Sequence, residues 1–325
     1  MRTFRRCVRE HHIAYELAIR ALGDVESLRF GTLFHLGLEA WWRALWAQQL
    51  GESELAPLTA AIEAMAPHAE DDFDLVRAGV LMQGYDARWG EADEYEVLAV
   101  EVEFRTDLIN PETGAASRTF ELAGKLDAIV RRRADGVICI VEHKTTSEDI
   151  GGGSKYWKRL TLDSQISTYF AGARSLGYDI GICIYDVIGK PRHAPLKATP
   201  EESRKYTKDG RLYAAQRAED ETPDQYRQRL TDVIAEAPDK FYQRGPVVRL
   251  EAEERDAAFD VWQTARALRE AQVAERWPRN PDGCERYGRI CGFFDVCTGI
   301  ATLEDPTRFE VVANVHQELA ANDAA

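Results

Sequence analysis

The order of elements between residues 96 and 190 limits the fold of this chain more than any other feature. EVLAVEVEF (96–104), RTFELAGKLDAIVRR (118–132) and GVICIVEHKTT (136–146) show period-two patterning and β-branched side chains, which predicts three consecutive strands. Asp135-Gly136 between the second and third suits a tight hairpin. A helix then follows over LDSQISTYFAGARSLG, with Asp163 near its start and Gly177 after its end, and then the apolar strand DIGICIYDVIG. Strand, helix, strand implies a crossover, so the class is α/β, with a central mixed sheet flanked by helices.

Around this core, residues 1–95 read as a helical N-terminal region, the first fifty residues being helical throughout. Residues 191–250 read as a polar, proline-interrupted arm or insertion with one helix at 223–236, and residues 251–325 as a final helix (251–275) and a cysteine-bearing tail. These four segments are expected to form one integrated domain. The formal charge of −14 and pI near 5.1 argue against a protein that coats nucleic acid nonspecifically, while leaving room for a local basic groove. The sequence has no apolar stretch of signal-peptide or membrane-span length, so a cytoplasmic protein without a membrane partner is expected.

Glu142 and Lys144 stand at the end of the third strand. Alternate strand residues face one side, so carboxylate and ammonium project together while His143 points away. A carboxylate holds a hard divalent cation, and a lysine beside it orients or helps deprotonate a water. Alone, such a pair is more often a surface ion pair. Asp127 changes the balance: in a hairpin centred on 135 and 136 it lies roughly opposite residue 144, within reach of Glu142. Two carboxylates that close repel unless a cation or proton lies between them, and a divalent metal is the economical explanation. His35 is a third candidate ligand, although a lone histidine on an apolar helix is more often a core residue. Glu39, one turn on, suits either a hydrogen bond to its imidazole or a surface contact.

Gly31-x-x-x-His35, Gly124-x-x-Asp127, Glu142-x-Lys144 and Gln165-x-x-x-Tyr169 occur in the order that marks RecB-like nucleases of the PD-(D/E)XK superfamily, and the chain resembles the phage and CRISPR-associated exonucleases of that group. The resemblance spans residues 31 to 169. It implies that His35, Asp127, Glu142 and the backbone carbonyl of His143 bind Mg²⁺ or Mn²⁺. Lys144 would position the attacking water, and Gln165 and Tyr169 would line the site, helix packing being the plain alternative for Tyr169. The chemistry fits, because an anionic phosphodiester resists attack until its charge is neutralised and water is activated.

Cys139 and Cys183 lie in apolar strand segments and read as core residues. Cys7, Cys284, Cys291 and Cys297 make up the four thiolates that zinc or an iron–sulfur cluster requires, with wider gaps than zinc modules usually show. Many RecB-like nucleases carry one cysteine before the histidine motif and three after the core, holding a [4Fe–4S] cluster that clasps the termini. The resemblance therefore implies such a cluster, with zinc the alternative and the six-residue first gap a departure from the common two.

Lys155, Tyr156, Trp157, Lys158 and Arg159 follow a glycine-rich turn and suit a loop that binds phosphates and stacks on bases, or equally a surface loop anchored by Trp157. Arg131-Arg132-Arg133 is a second basic spot at the hairpin end. The leading expectation is a DNA exonuclease or end-processing hydrolase favouring single-stranded or free-ended DNA, in recombination, repair or phage DNA metabolism of a bacterial or phage-infected cell. The alternative is a non-cleaving nucleic-acid-binding or assembly subunit of a recombination or CRISPR-adaptation complex. The sequence has no G-x-x-x-x-G-K-[ST] loop, so any unwinding falls to a helicase or recombination partner.

Overall fold

The computed structural model describes the chain except for residues 24, 25, 91, 92, 287, 317, 318 and 320–325. Helices α1 (Arg2–Arg6) and α2 (Val8–His11) and a π-helical turn over His12–Glu16 lead into strand β1 (Ile19–Ala21). The N-terminal fifty residues are therefore not helical throughout. Ile19, Arg20 and Ala21 pair with Val311, Glu310 and Phe309, and these distant backbone partners override local helix preference.

Helix α3 (Glu26–Gln49) follows, then α4 (Pro57–Met65), which begins on a proline whose missing N–H has no helical partner to lose, and α5 (Asp72–Trp89). The Asp71 carboxylate accepts the Asp74 N–H at 2.8 Å and caps α5. The expected strands are β2 (Tyr95–Ile109), β3 (Ala116–Arg132) and β4 (Ile138–Thr146). Short α6 (Lys155–Leu160) and α7 (Ser164–Ser175) then carry the chain across to β5 (Ile180–Gly189), which runs parallel to β4.

Two elements of the 191–250 segment pack into the body. In α8 (Pro223–Glu236), Tyr226, Leu230 and Ile234 recur at helical spacing and are buried against the α3–α5 layer. Strand β6 (Tyr242–Val247) adds antiparallel to β5, and its Pro246 is tolerated because the strand forms the sheet edge. The sheet order is β2-β3-β4-β5-β6, with helices on both faces. One core joins α3, α4, α5 and α8 to the sheet, and a second lies beneath α7.

Helix α9 (Glu251–Ala274) leads to a two-stranded ribbon, β7 (Glu285–Arg286) with β8 (Arg289–Ile290), then α10 (Phe294–Thr298) and β9 (Phe309–Val311). Among the described residues no helix is long and apolar enough to cross a membrane.

The hairpin between β3 and β4 is longer than Asp135-Gly136 alone would make it. The Arg132 N–H donates to Val137 O at 2.9 Å, and the Asp135 carboxylate accepts from the Val137 N–H and the Arg132 guanidinium. Ala128 consequently pairs with Val141, which brings Asp127 opposite Glu142 rather than residue 144. The slip of two residues leaves the facing of every side chain intact, because side chains alternate with period two.

Candidate active site

The paired ladder of β3 and β4 ends at Ala128 and Val141. Just beyond it Asp127 Oδ2 accepts the backbone N–H of His143 at 2.7 Å, so a side chain replaces the missing strand carbonyl. The β2–β3 hairpin turns over at the same level. Val100 and Ala128 belong to the core against α3, whereas Leu126 and Phe104 belong to the core beneath α7. Glu101 lies within this turnover at φ +55°, a conformation that costs a non-glycine residue about 1–3 kcal/mol. Its carboxylate pairs with Lys125. Burial raises its pKa, Lys125 partly offsets that, and the charges of Asp127 and Glu39 add to the rise, leaving it at about 7.

Glu142 is 1% exposed and its two oxygens are used differently. Oε1 accepts from Lys144 and, at 3.2 Å, from Gln165 Nε2, whereas Oε2 is buried without a hydrogen-bond partner among the described residues. Burial pushes this carboxyl up to about 8, with Lys144 opposing and Asp127 adding to the shift. Burial works against the Lys144 ammonium, but Glu142 and Asp127 outweigh it and raise its pKa. Gln165 also donates to the Tyr169 hydroxyl, and burial raises that phenol far above its usual range.

Two small-residue contacts bring α7 and α3 to this edge. A Cβ on Gly124 would lie 2.8 Å from the Phe104 ring and one on Gly172 2.5 Å, so the ring fits between hairpin and helix only because both residues are glycine. A Cβ on Gly31 would come 3.2 Å from Thr145 Oγ1, so α3 runs close past the end of β4. Arg249, itself buried, donates to Leu160 O at 2.9 Å and Asp163 O at 3.0 Å and fixes the corner between α6 and α7.

His35, one turn after Gly31, is drawn into the same group. Burial lowers its pKa to about 4, and the charges acting on it are those of Asp127, His143, Lys144 and Lys190. It is neutral near pH 7, with a ring lone pair to offer. The structure thus brings His35, Asp127, Glu142, Lys144, Gln165 and Tyr169 together at one end of β4.

His143 points to the opposite face, as expected, into a buried network that sequence reasoning missed. Its Nδ1 stands 3.3 Å from Asp186 Oδ2, which also accepts from Tyr85 at 2.6 Å and Arg244 at 3.0 Å. Burial disfavours the Asp186 anion, but Arg244 and His143 more than compensate and hold its carboxyl well below the usual range. The only sequence signal was a lone acid within the apolar run of β5.

The expected DNA-binding segment is a helix rather than a loop. Tyr156 is buried, and the Trp157 indole donates to Ile150 O at 2.7 Å with its ring over Gly245, so neither ring is free to stack on a base. Lys155, Lys158 and Arg159 remain exposed, Arg159 pairing with Glu148. Arg131, Arg132 and Arg133 pair with Glu96, Asp135 and Asp93, which consumes the second basic spot.

Cys7, Cys284, Cys291 and Cys297 form no disulfide among the described residues, and all four line one cavity of about 680 Å³ where α1 and α2 meet the tail. Among the described residues no group of three or more His, Cys, Asp or Glu is already arranged to hold a metal ion. The donor chemistry at the end of β4 nevertheless suits a hard divalent cation: a buried carboxylate oxygen has no hydrogen-bond partner among the described residues, a second carboxylate stands opposite, and the imidazole is neutral.

A family model described as PD-(D/E)XK nuclease superfamily matches residues 1–298. No curated protein matches the sequence. A solved structure of SSO0001 aligns at 15% identity over 86% of this chain and 98% of that one, with a TM-score of 0.32, an overlap too loose to argue from.

Proposed function

The chain belongs to the PD-(D/E)XK nuclease superfamily, whose members are generally metal-dependent nucleases, and from that premise we propose that it is a RecB-like DNA exonuclease or end-processing enzyme. The observation that carries this reading is the meeting of Asp127, Glu142 and Lys144 across two adjacent strands, with Gln165 closing over Glu142.

His35, Asp127, Glu142 and the His143 carbonyl would hold Mg²⁺ or Mn²⁺. When bound, the ion neutralises charge on the scissile phosphate and makes a water acidic enough to attack. Lys144, tied to Glu142, orients that water with its ammonium. Gln165 holds the carboxylate in place from α7 while Tyr169 accepts from the same amide, which matters because a misplacement of about 1 Å costs on the order of a hundredfold in rate.

The exposed Lys155 and Lys158 beside this edge would supply cations for a DNA backbone, with Arg159 joining them only on leaving Glu148, and the acidic remainder of the surface favours strands that thread in by an end. The four thiols around the terminal cavity support a [4Fe–4S] cluster that joins the N-terminal helices to the tail, zinc being the alternative. The pathway that fits is recombination, repair or phage DNA metabolism, with unwinding supplied by a separate helicase.

Two measurements test these points. Free-ended single strands should be degraded in preference to closed circular duplex; equal rates on both would remove the end-dependent reading. The absorption spectrum and iron and zinc content of anaerobically purified protein decide the cluster: iron with visible colour is expected, and colourless protein without iron overturns it.

A further inference from the structure

We propose that Arg2 is a positioning residue of the nuclease site, acting on Glu142 through Gln165. This rests on the functional reading above. The Arg2 guanidinium donates to Gln165 Oε1 at 3.3 Å and pairs with Asp163, whose carboxylate caps α7 by accepting the Gln165 N–H at 2.9 Å. One cation therefore holds both the side chain and the local helix start of the same glutamine.

A guanidinium can only donate, so the Gln165 amide must turn its oxygen toward Arg2. Its nitrogen is then turned inward, where it donates to Glu142 Oε1 and the Tyr169 hydroxyl. A half-turn of the amide would lose the Arg2 donor and set the amide oxygen against the Glu142 carboxylate, so Arg2 adds to the orientation that Glu142 itself favours. The Arg2 side chain is 60% exposed, so its removal should spare the fold.

The helix that carries Arg2 is fixed from the cysteine junction. Arg5 Nε donates to Thr264 Oγ1 on α9 at 2.8 Å, Asn280 Nδ2 donates to Arg6 O at 2.7 Å, and Cys7 follows α1 directly. Thus α1 spans from the four-thiol cavity to the catalytic edge.

The test compares Arg2→Ala, Arg2→Lys, Gln165→Ala and the Arg2→Ala/Gln165→Ala double variant in the full-length protein, on end-labelled single-stranded DNA with Mn²⁺. Arg2→Ala should lower kcat about tenfold and leave KM within about twofold. Arg2→Lys should recover part of the loss, and Arg2→Ala should have no further effect once Gln165 is alanine. Full additivity in the double variant, or a change confined to KM with a shallower salt dependence, overturns the proposal. A second readout needs no cleavage: the Gln165 side-chain amide resonance, assigned by its disappearance in Gln165→Ala, should move in Arg2→Ala. An unmoved resonance overturns the contact, whereas wild-type protein that cuts no DNA sinks the functional reading and not the contact.

Discussion

Asp127 Oδ2 accepts the backbone N–H of His143 at 2.7 Å, one step beyond the last paired residues of β3 and β4. The carboxylate so held both closes the ladder and faces the Glu142 side. Asp127→Asn keeps an acceptor for the N–H but loses the charge, so it should melt near wild type and bind Mn²⁺ weakly. Asp127→Ala also strands the buried N–H and should cost a further 1–3 kcal/mol or about that. Paired thermal melts and Mn²⁺ calorimetry separate the two effects.

Glu142 makes the metal-free protein less stable as pH rises. Its ordinary pKa is 4.5 and the folded value is about 8. Below 4.5 both folded and unfolded chains hold the proton; between the two values only the folded chain does, so stability falls across this window and levels off above it. Glu142→Gln should therefore raise the melting temperature of metal-free protein at pH 8 and leave it little changed at pH 4.5. The same stabilisation at both pH values would contradict the shift.

His35 has the opposite sign. Its ordinary pKa of 6.5 is lowered to about 4, so the stability associated with the neutral ring is complete above 6.5 and is lost as pH falls toward 4. His35→Gln should flatten acid unfolding in that window, read by urea titrations at several pH values, and weaken Mn²⁺ binding near pH 7.

Behind the site, Asp186 balances the buried Arg244 guanidinium and anchors His143. Asp186→Ala leaves that cation without a counter-charge and should destabilise the fold by about 3–5 kcal/mol, measured by urea unfolding. A loss below about 1 kcal/mol would mean that water compensates Arg244.

The sheet and the Glu142–Lys144 pair were legible because period-two patterning sets facing, and facing survived a two-residue error in hairpin register. Glu101 was not legible, since nothing in a strand pattern announces a positive φ. The choice between stacking and anchoring for Trp157 stayed open in the sequence because its partners, Ile150 O and Gly245, lie outside the segment itself. Contacts between remote positions escaped for the same reason: β1 finds its partner in β9, and Arg2 finds Gln165 across 163 residues. His35 was placed by family resemblance, because an apolar helix face by itself reads as core.

Cleavage of end-labelled DNA by wild type and Lys144→Ala, with Mn²⁺ and with a chelator, tests the central claim most directly. Wild type should cut only with the metal, and Lys144→Ala should be slower by on the order of 10²–10⁴ while remaining folded. Degradation by Lys144→Ala at the wild-type rate, or by wild type in chelator, would contradict a metal-dependent nuclease at the end of β4.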